Sequence, residues 1–289
     1  MADHLARALT PDGSVRGLAV TTTALVEEAR RRHGTLPTAT AALGRTLTAA
    51  LLLAGTIKRD ERLSIEVSGD GPLGPILVDA TPDGTARGFV RRPGTHLPPR
   101  RGKLDVGGAV GRGLLCVMRV PLAGGAPYRS IVPLKSGEIG EDVAHYLAES
   151  EQTPSAVGVG VYVEPDGRVG AAGGYLIQGM PGVTPEALDR VAASVESAPP
   201  PSDLARRGHS PADVLALLLG EMQLLEERPV VFRCRCDHER VTRAILAMGR
   251  AEIEDALAKD GRAEAVCEFC SERYVVESRE LRELLDGTT

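Results

Sequence analysis

Apolar and polar residues alternate along most of the first two-thirds of the chain, the period-2 pattern of strands with one buried face. Runs at 5–10, 14–21, 63–67, 76–80, 86–90, 114–120, 130–134, 156–163 and 169–178 read as strands. Three of the intervals between them carry one triplet, Pro11-Asp12-Gly13, Pro82-Asp83-Gly84 and Pro165-Asp166-Gly167. Proline presets φ, aspartate bonds back to the backbone and glycine accepts positive φ, so each triplet predicts a reverse turn. The runs between 63 and 90 follow one another closely enough to predict a meander. Helical periodicity replaces alternation at 23–33, 38–54 and 140–150. The first helix ends in Arg30, Arg31 and Arg32, cations suited to a solvated carboxyl end, with Gly34 as the stop. The second puts Leu43, Leu47, Ala50 and Leu51 on one face and closes at Gly55.

After Gly182 the pattern becomes helical. Thr184 and Pro185 open a helix with Leu188, Val191 and Val195 at helical spacing, and Pro199-Pro200-Pro201 break it. Ser210, Pro211 and Asp213 open another in a capping-box arrangement. Its apolar residues run from Val214 through Leu225, more than one stripe can hold, which predicts a helix covered on more than one side. Released from that cover, Leu217, Leu218, Met222 and Leu225 would offer other proteins a Leu- and Met-rich surface. Further helices are expected at 239–248 and 251–259, then strand, knuckle and strand around 267–276, then a last helix with Leu281, Leu284 and Leu285. The class is therefore α+β: a sheet-rich body with packed helices over 1–182, a helical linker over 183–230 and a small terminal domain over 231–289.

Composition narrows the function. A chain of 289 residues has room for about two domains. The net charge of −5 and the absence of tryptophan speak against nucleic acid as the main partner. No charged start followed by an apolar run marks a secretory leader, and the apolar run near 47–57 is too short to span a bilayer. The expectation is a cytoplasmic protein without membrane partners, in a compartment where paired cysteines serve metals or redox switching. Gly107, Gly108, Gly111 and Gly113 miss the dinucleotide spacing, and neither a Gly-x-Ser-x-Gly elbow nor a His-Glu-x-x-His pattern occurs, so no catalytic residues are assigned and no enzyme is expected. The basic loop 91–103 reads as a solvated loop.

The chemistry sits in the last quarter. Cys234 and Cys236 form a Cys-x-Cys pair, and Cys267 and Cys270 a Cys-x-x-Cys pair. Two close pairs of soft ligands brought together by the intervening fold make one tetrahedral zinc site, one ion per chain. Four thiolates close the shell, so hydrolytic chemistry is not expected; the remaining readings are a purely structural zinc and one whose thiolates also sense oxidants. Bound zinc keeps the sulfurs deprotonated, the form that oxidants attack, and each cysteine has a resolving thiol one or two residues away. Such neighbours can bring their Cα atoms within the roughly 4.4–6.8 Å a disulfide needs, pairing Cys234 with Cys236 and Cys267 with Cys270. Arg233, Arg235, Arg240 and Arg243 crowd the first pair and would offset its negative charge. Cys116, in an apolar run, reads as a core thiol, and His238 as a competing ligand that a full shell excludes. A terminal domain with so few large apolar groups is expected to fold only around its metal.

The stretch from Cys234-Arg235-Cys236-Asp237-His238 to Cys267-Glu268-Phe269-Cys270 resembles the redox-regulated 33 kDa chaperonin family of bacterial heat-shock proteins. The resemblance extends to Asp70-Gly71-Pro72-Leu73-Gly74-Pro75 and to the run from Gly173 to Gly182, and it covers essentially the whole chain. Asp237-His238 departs from the family, which often has a small hydroxyl residue followed by a charged one there. The resemblance implies an ATP-independent holdase that binds unfolding or oxidatively damaged proteins. It implies a quiescent, zinc-bound monomer when reduced, and a zinc-free, disulfide-bonded, active homodimer when oxidised. Two other classes stand beside it. One is a zinc-ribbon module binding nucleic acid or a transcription partner, which would want a basic, aromatic face. The other is a thiol oxidoreductase using Cys267 and Cys270, which would want a βαβ context and an unligated pair.

Overall fold

The computed structural model describes residues 2–286; Met1 and the last three residues of the expected terminal domain lie outside them. The chain divides into two compact units, Met1–Arg233 and Cys234–Thr289.

In the first unit β1 (His4–Leu9) and β2 (Val15–Thr21) form a hairpin, followed by α1 (Thr23–His33) and α2 (Pro37–Ala54). Then come β3 (Glu61–Gly69), β4 (Ile76–Ala80), β5 (Thr85–Val90), the short α3 (Val106–Val110), β6 (Gly113–Pro121), β7 (Tyr128–Pro133) and α4 (Gly140–Glu149). The hairpin of β8 (Ser155–Val163) and β9 (Val169–Gly179) leads to α5 (Pro185–Ser197), α6 (Pro201–Arg206), α7 (Pro211–Leu219), β10 (Gln223–Pro229) and β11 (Val231–Phe232). One sheet has the order β10-β1-β2-β9-β8 and the other β11-β5-β4-β3-β6-β7, all pairs antiparallel except β11 with β5. The meander of β3, β4 and β5 is present as the alternation predicts.

The helix α2 touches strands of both sheets. Only Pro37 and Arg45 along it escape burial, so the expectation of a single apolar face is corrected. A helix of Ala, Leu and Thr can be covered all round because its hydroxyls bond within it: Thr46 and Thr48 donate to the carbonyls of Ala42 and Gly44. Gly44 allows the close approach, since a Cβ there would lie 2.6 Å from Val26 Cγ1 and 2.8 Å from Val161 Cγ2.

The three Pro-Asp-Gly triplets form turns of one design. Gly13, Gly84 and Gly167 have φ of 70°, 91° and 87°. Asp12, Asp83 and Asp166 each accept the backbone N–H of the residue two positions on. The hydroxyl of Thr10 donates to Asp12 at 2.6 Å, and with Ser14 it holds that carboxyl down at about 2. An unfolded aspartate titrates near about 3.9, so this turn gains stability from the ionised form above that pH and loses it as pH falls through about 2. A carboxyl NMR titration should place the Asp12 midpoint near 2. Thr10→Val should move it upward; a midpoint unchanged by that substitution would remove the hydroxyl from the account.

The stretch 183–230 is not helical throughout. The helix that starts at the Ser210–Asp213 capping box stops at Leu219, where Gly220 takes φ 72°, and Leu224 and Leu225 belong to β10, paired with β1. Local apolar density gave no warning, because an edge strand with exposed Leu224 and Leu225 and a helix can share that composition. Within α7, Val214, Leu215 and Leu218 pack on a sheet face of small residues, Ala6, Ala8 and Ala19, beside Val15, Tyr175 and Ile177. Gly17 lets Leu215 and Leu219 come close, since a Cβ there would lie 2.7 and 2.8 Å from their methyls. Of the four residues expected to form a binding surface, Leu218 is buried and Met222 partly buried against this cluster, while Leu217 and Leu225 are exposed.

The second unit contains α8 (His238–Met248), α9 (Arg250–Lys259), the hairpin of β12 (Arg262–Val266) and β13 (Arg273–Glu277), and α10 (Ser278–Asp286). Its core is small: Ile245, Ile253, Val276, Leu281 and Leu285 are buried, with a few partly covered neighbours. Among the described residues no helix is long and apolar enough to cross a membrane.

Candidate metal centre

The two cysteine pairs approach from different local structures. Cys234 and Cys236 lie on the irregular segment before α8, whose start is fixed by Asp237 accepting the N–H of Arg240 at 2.8 Å. Cys267 and Cys270 occupy the loop joining β12 to β13. There the Cys267 carbonyl accepts from the N–H of Ser271 at 2.8 Å and of Cys270 at 3.3 Å, and the Cys267 N–H donates to Glu272 O at 2.9 Å. Ser271 takes φ 57° to close this knuckle.

These turns bring four sulfurs together. Cys234 Sγ lies 3.7 Å from Cys267 Sγ, Cys236 Sγ 3.3 Å from Cys270 Sγ, and all four fall within 4.8 Å of one another. A tetrahedral ion with metal–sulfur bonds of about 2.3 Å sets its sulfurs about 3.8 Å apart, so the donor set and its spacing fit a four-coordinate metal ion. Burial pushes the thiols of Cys267 and Cys270 up, and crowding by Cys234 and Cys236 adds to it. On their own these surroundings favour the protonated thiols of Cys267 and Cys270; a cation among the sulfurs would reverse that preference and favour thiolates.

The sequence-predicted residues sort cleanly. All four terminal cysteines converge. Cys116 is a buried residue of β6 in the first unit, accepting from Arg129 Nε at 3.2 Å, and is not part of the group. His238 turns to Glu280, with Nε2 2.8 Å from Oε2. Arg240 and Arg243 are engaged by Asp237 and Glu239 on their own helix, at 3.7 and 3.5 Å, which reduces the charge they can lend the sulfurs. One contributor was missed: the hydroxyl of Tyr274, on β13, donates to Cys236 Sγ at 3.1 Å. A polar-tipped aromatic four residues after Cys270 is a signal that could have found it, since the strand leaving the knuckle runs back past the sulfurs.

The fold and the centre define a class: an α+β body followed by a small unit built round a tetracysteine site suited to a metal ion. The model of the Hsp33 protein family matches residues 3–277. The 33 kDa chaperonin of Bacillus subtilis is 45% identical over 99% of both chains, and that of Acaryochloris marina 49% identical over 99% of this chain and 97% of its own. The crystal structure of the 33 kDa chaperonin (heat shock protein 33 homolog) from Thermotoga maritima is similar over 100% of this chain and 99% of its own, with a TM-score of 0.92 and 36% identity. The chain belongs to the Hsp33 family.

Proposed function

We propose that this protein is a redox-switched, ATP-independent holdase of the cytoplasm, a binding protein and not an enzyme. In the reduced state Cys234, Cys236, Cys267 and Cys270 hold one zinc ion and the chain is a quiescent monomer. Oxidation forms the Cys234–Cys236 and Cys267–Cys270 disulfides, releases the zinc, melts the second unit and yields a dimer that holds unfolding clients. The observation that carries this reading is the convergence of four sulfurs within 4.8 Å of one another. Zinc is the ion that four thiolates in a tetrahedron suit best, and it supplies the charge that keeps them ionised and open to oxidants. Relatives named chaperonins support the client-binding half. The client surface is assigned to Leu217, Leu218, Met222 and Leu225; Leu217 and Leu225 are exposed already, and Leu218 joins them when α7 lifts from its sheet.

The oxidative step is written with peroxide as oxidant. A thiolate attacks it to give a sulfenic acid and hydroxide, and the neighbouring thiol displaces water to form the disulfide. Two peroxides thus oxidise the four sulfurs. Cys234 with Cys267 and Cys236 with Cys270 are contacts across the two pairs in the folded centre, so the neighbour disulfides are favoured by their shorter loops and not by these contacts.

The reading is tested by treating the reduced protein with peroxide under mild heating. Zinc release, neighbour disulfides by peptide mapping, faster hydrogen exchange across 210–227 and suppression of client aggregation should rise together. A main product joining Cys236 to Cys270, or activity with slow exchange across 210–227, would overturn the pairing or the client surface respectively. A nucleic-acid role finds no support in a chain of net charge −5. A thiol oxidoreductase finds none in a Cys-x-x-Cys set in a hairpin loop.

A further inference from the structure

The first unit contains a cationic cavity that the redox chemistry does not use. A space of about 130 Å³ lies between the two sheets, its polar wall made by Arg16 of β2, Gln178 of β9, Arg119 of β6, Tyr146 of α4, Thr56, Thr153 and one carboxylate, Glu151, with leucine and isoleucine side chains closing the rest. Arg119 and the Tyr146 hydroxyl both donate to one oxygen of Glu151, at 2.5 and 2.6 Å. Arg16 has no such carboxylate: its Nη2 donates to the amide oxygen of Gln178 at 2.6 Å. Gln178 is 4% exposed and Tyr146 1%, so the polar wall is fixed by packing.

The surrounding charge does not balance either. Arg7 and Arg228 share Glu226, at 3.4 and 3.0 Å, with the exposed Arg59 also 4.0 Å from it, so the four arginines Arg7, Arg16, Arg119 and Arg228 divide two carboxylates. The Nε of each of these four arginines is buried without a hydrogen-bond partner. Burial and the nearby Arg7 both disfavour the charged form of Arg16. Partly buried guanidiniums are ordinarily compensated by an anion, and their planar forks match oxyanions with two parallel bonds. A space of this size holds roughly four waters, comparable to a tetrahedral ion.

We propose that this cavity is a binding site for a small inorganic oxyanion of the phosphate or sulfate class, held by the guanidiniums of Arg16 and Arg119. Because β2 and β9 belong to one sheet and β6 to the other, the bound ion ties the two sheets of the body together.

The test uses the full reduced chain with phosphate as the probe. Thermal unfolding of the body is followed as phosphate replaces chloride at constant ionic strength. The expected result is a rise in Tm of a few degrees that saturates in the millimolar range, as binding to the folded state alone requires. General salt exclusion gives a rise that does not saturate. Arg16→Gln, once circular dichroism shows it folded, should lose the saturating part. A saturating rise of the same size in Arg16→Gln, or a rise that never saturates, would overturn the site. A crystal soaked in selenate gives an independent readout that needs no variant. An anomalous peak between Arg16 and Arg119 is expected, and its absence at saturating selenate would overturn the assignment.

Discussion

Removing the metal from the reduced protein is expected to unfold the Cys234–Thr289 unit and leave the Met1–Arg233 unit folded. Among the described residues, Ile245, Ile253, Val276, Leu281 and Leu285 form the buried apolar cluster of the smaller unit. Metal binding contributes on the order of 10–16 kcal/mol in small zinc-finger peptides, as much as the total stability of an ordinary domain. No helix cap or ion pair replaces that; the pairs on α8 and α9 are exposed and each worth well under about 1 kcal/mol. Amide resonances from 238 to 286 should collapse to the unfolded range on chelation, or in Cys267→Ser, while those of the body hold their positions. Cys116→Ser should keep the metal at full stoichiometry. A chelated sample with α8 and α10 intact would show that the hydrophobic cluster suffices and that the metal is an accessory.

Asp142→Ala should cost the body about 3–5 kcal/mol, read as a fall in the urea midpoint. This carboxylate is fully buried at the start of α4 and accepts four backbone N–H groups: Lys135 at 2.7, Ser136 at 3.0 and Gly137 at 3.3 Å on one oxygen, and Ile139 at 2.8 Å on the other. Alanine would strand those donors, and hydrogen bonds to a charged group are worth about 1.5–3 kcal/mol each. The same carboxylate holds Ile139 at φ 71°, a left-handed conformation that a β-branched side chain resists. Asp142→Asn keeps one accepting oxygen and should lose roughly half as much. Equal losses for the two variants would mean that packing, not the oxygens, sets the stability of this turn.

That the four cysteines form one group could be read from spacing alone, because two short cysteine pairs allow few geometries, and the four sulfurs do converge. The Pro-Asp-Gly turns were equally legible, since each residue supplies one local requirement and needs nothing from the rest of the fold. What failed was whatever depended on distant neighbours. The end of α7 turns on Gly220 and on β1 being free to accept β10, a pairing more than 200 residues away in sequence. The burial of α2 on every side follows from two sheets closing over it, which its own 3.6-residue period cannot announce. Tyr274 stayed hidden for a similar reason: its role exists only after the hairpin folds back on Cys236. Likewise the alternation places Arg16 beside Gln178 only once β2 and β9 pair.

The last two strands of the body have a mechanical consequence. β10 is bonded to β1 alone and β11, two residues long, to β5 alone, with Val230 between them. Each lies at the rim of its sheet, so peeling the chain back from the carboxyl side breaks their bonds one after another, as in opening a zip, without first breaking a bond between inner strands. The short β11 yields first and β10 next, from Pro229 towards Gln223, while the bonds among the inner strands carry no load. The polypeptide can therefore be drawn off the body in small steps at low force, and it leaves the backbone groups of β1 bare as a ready-made track for another extended chain.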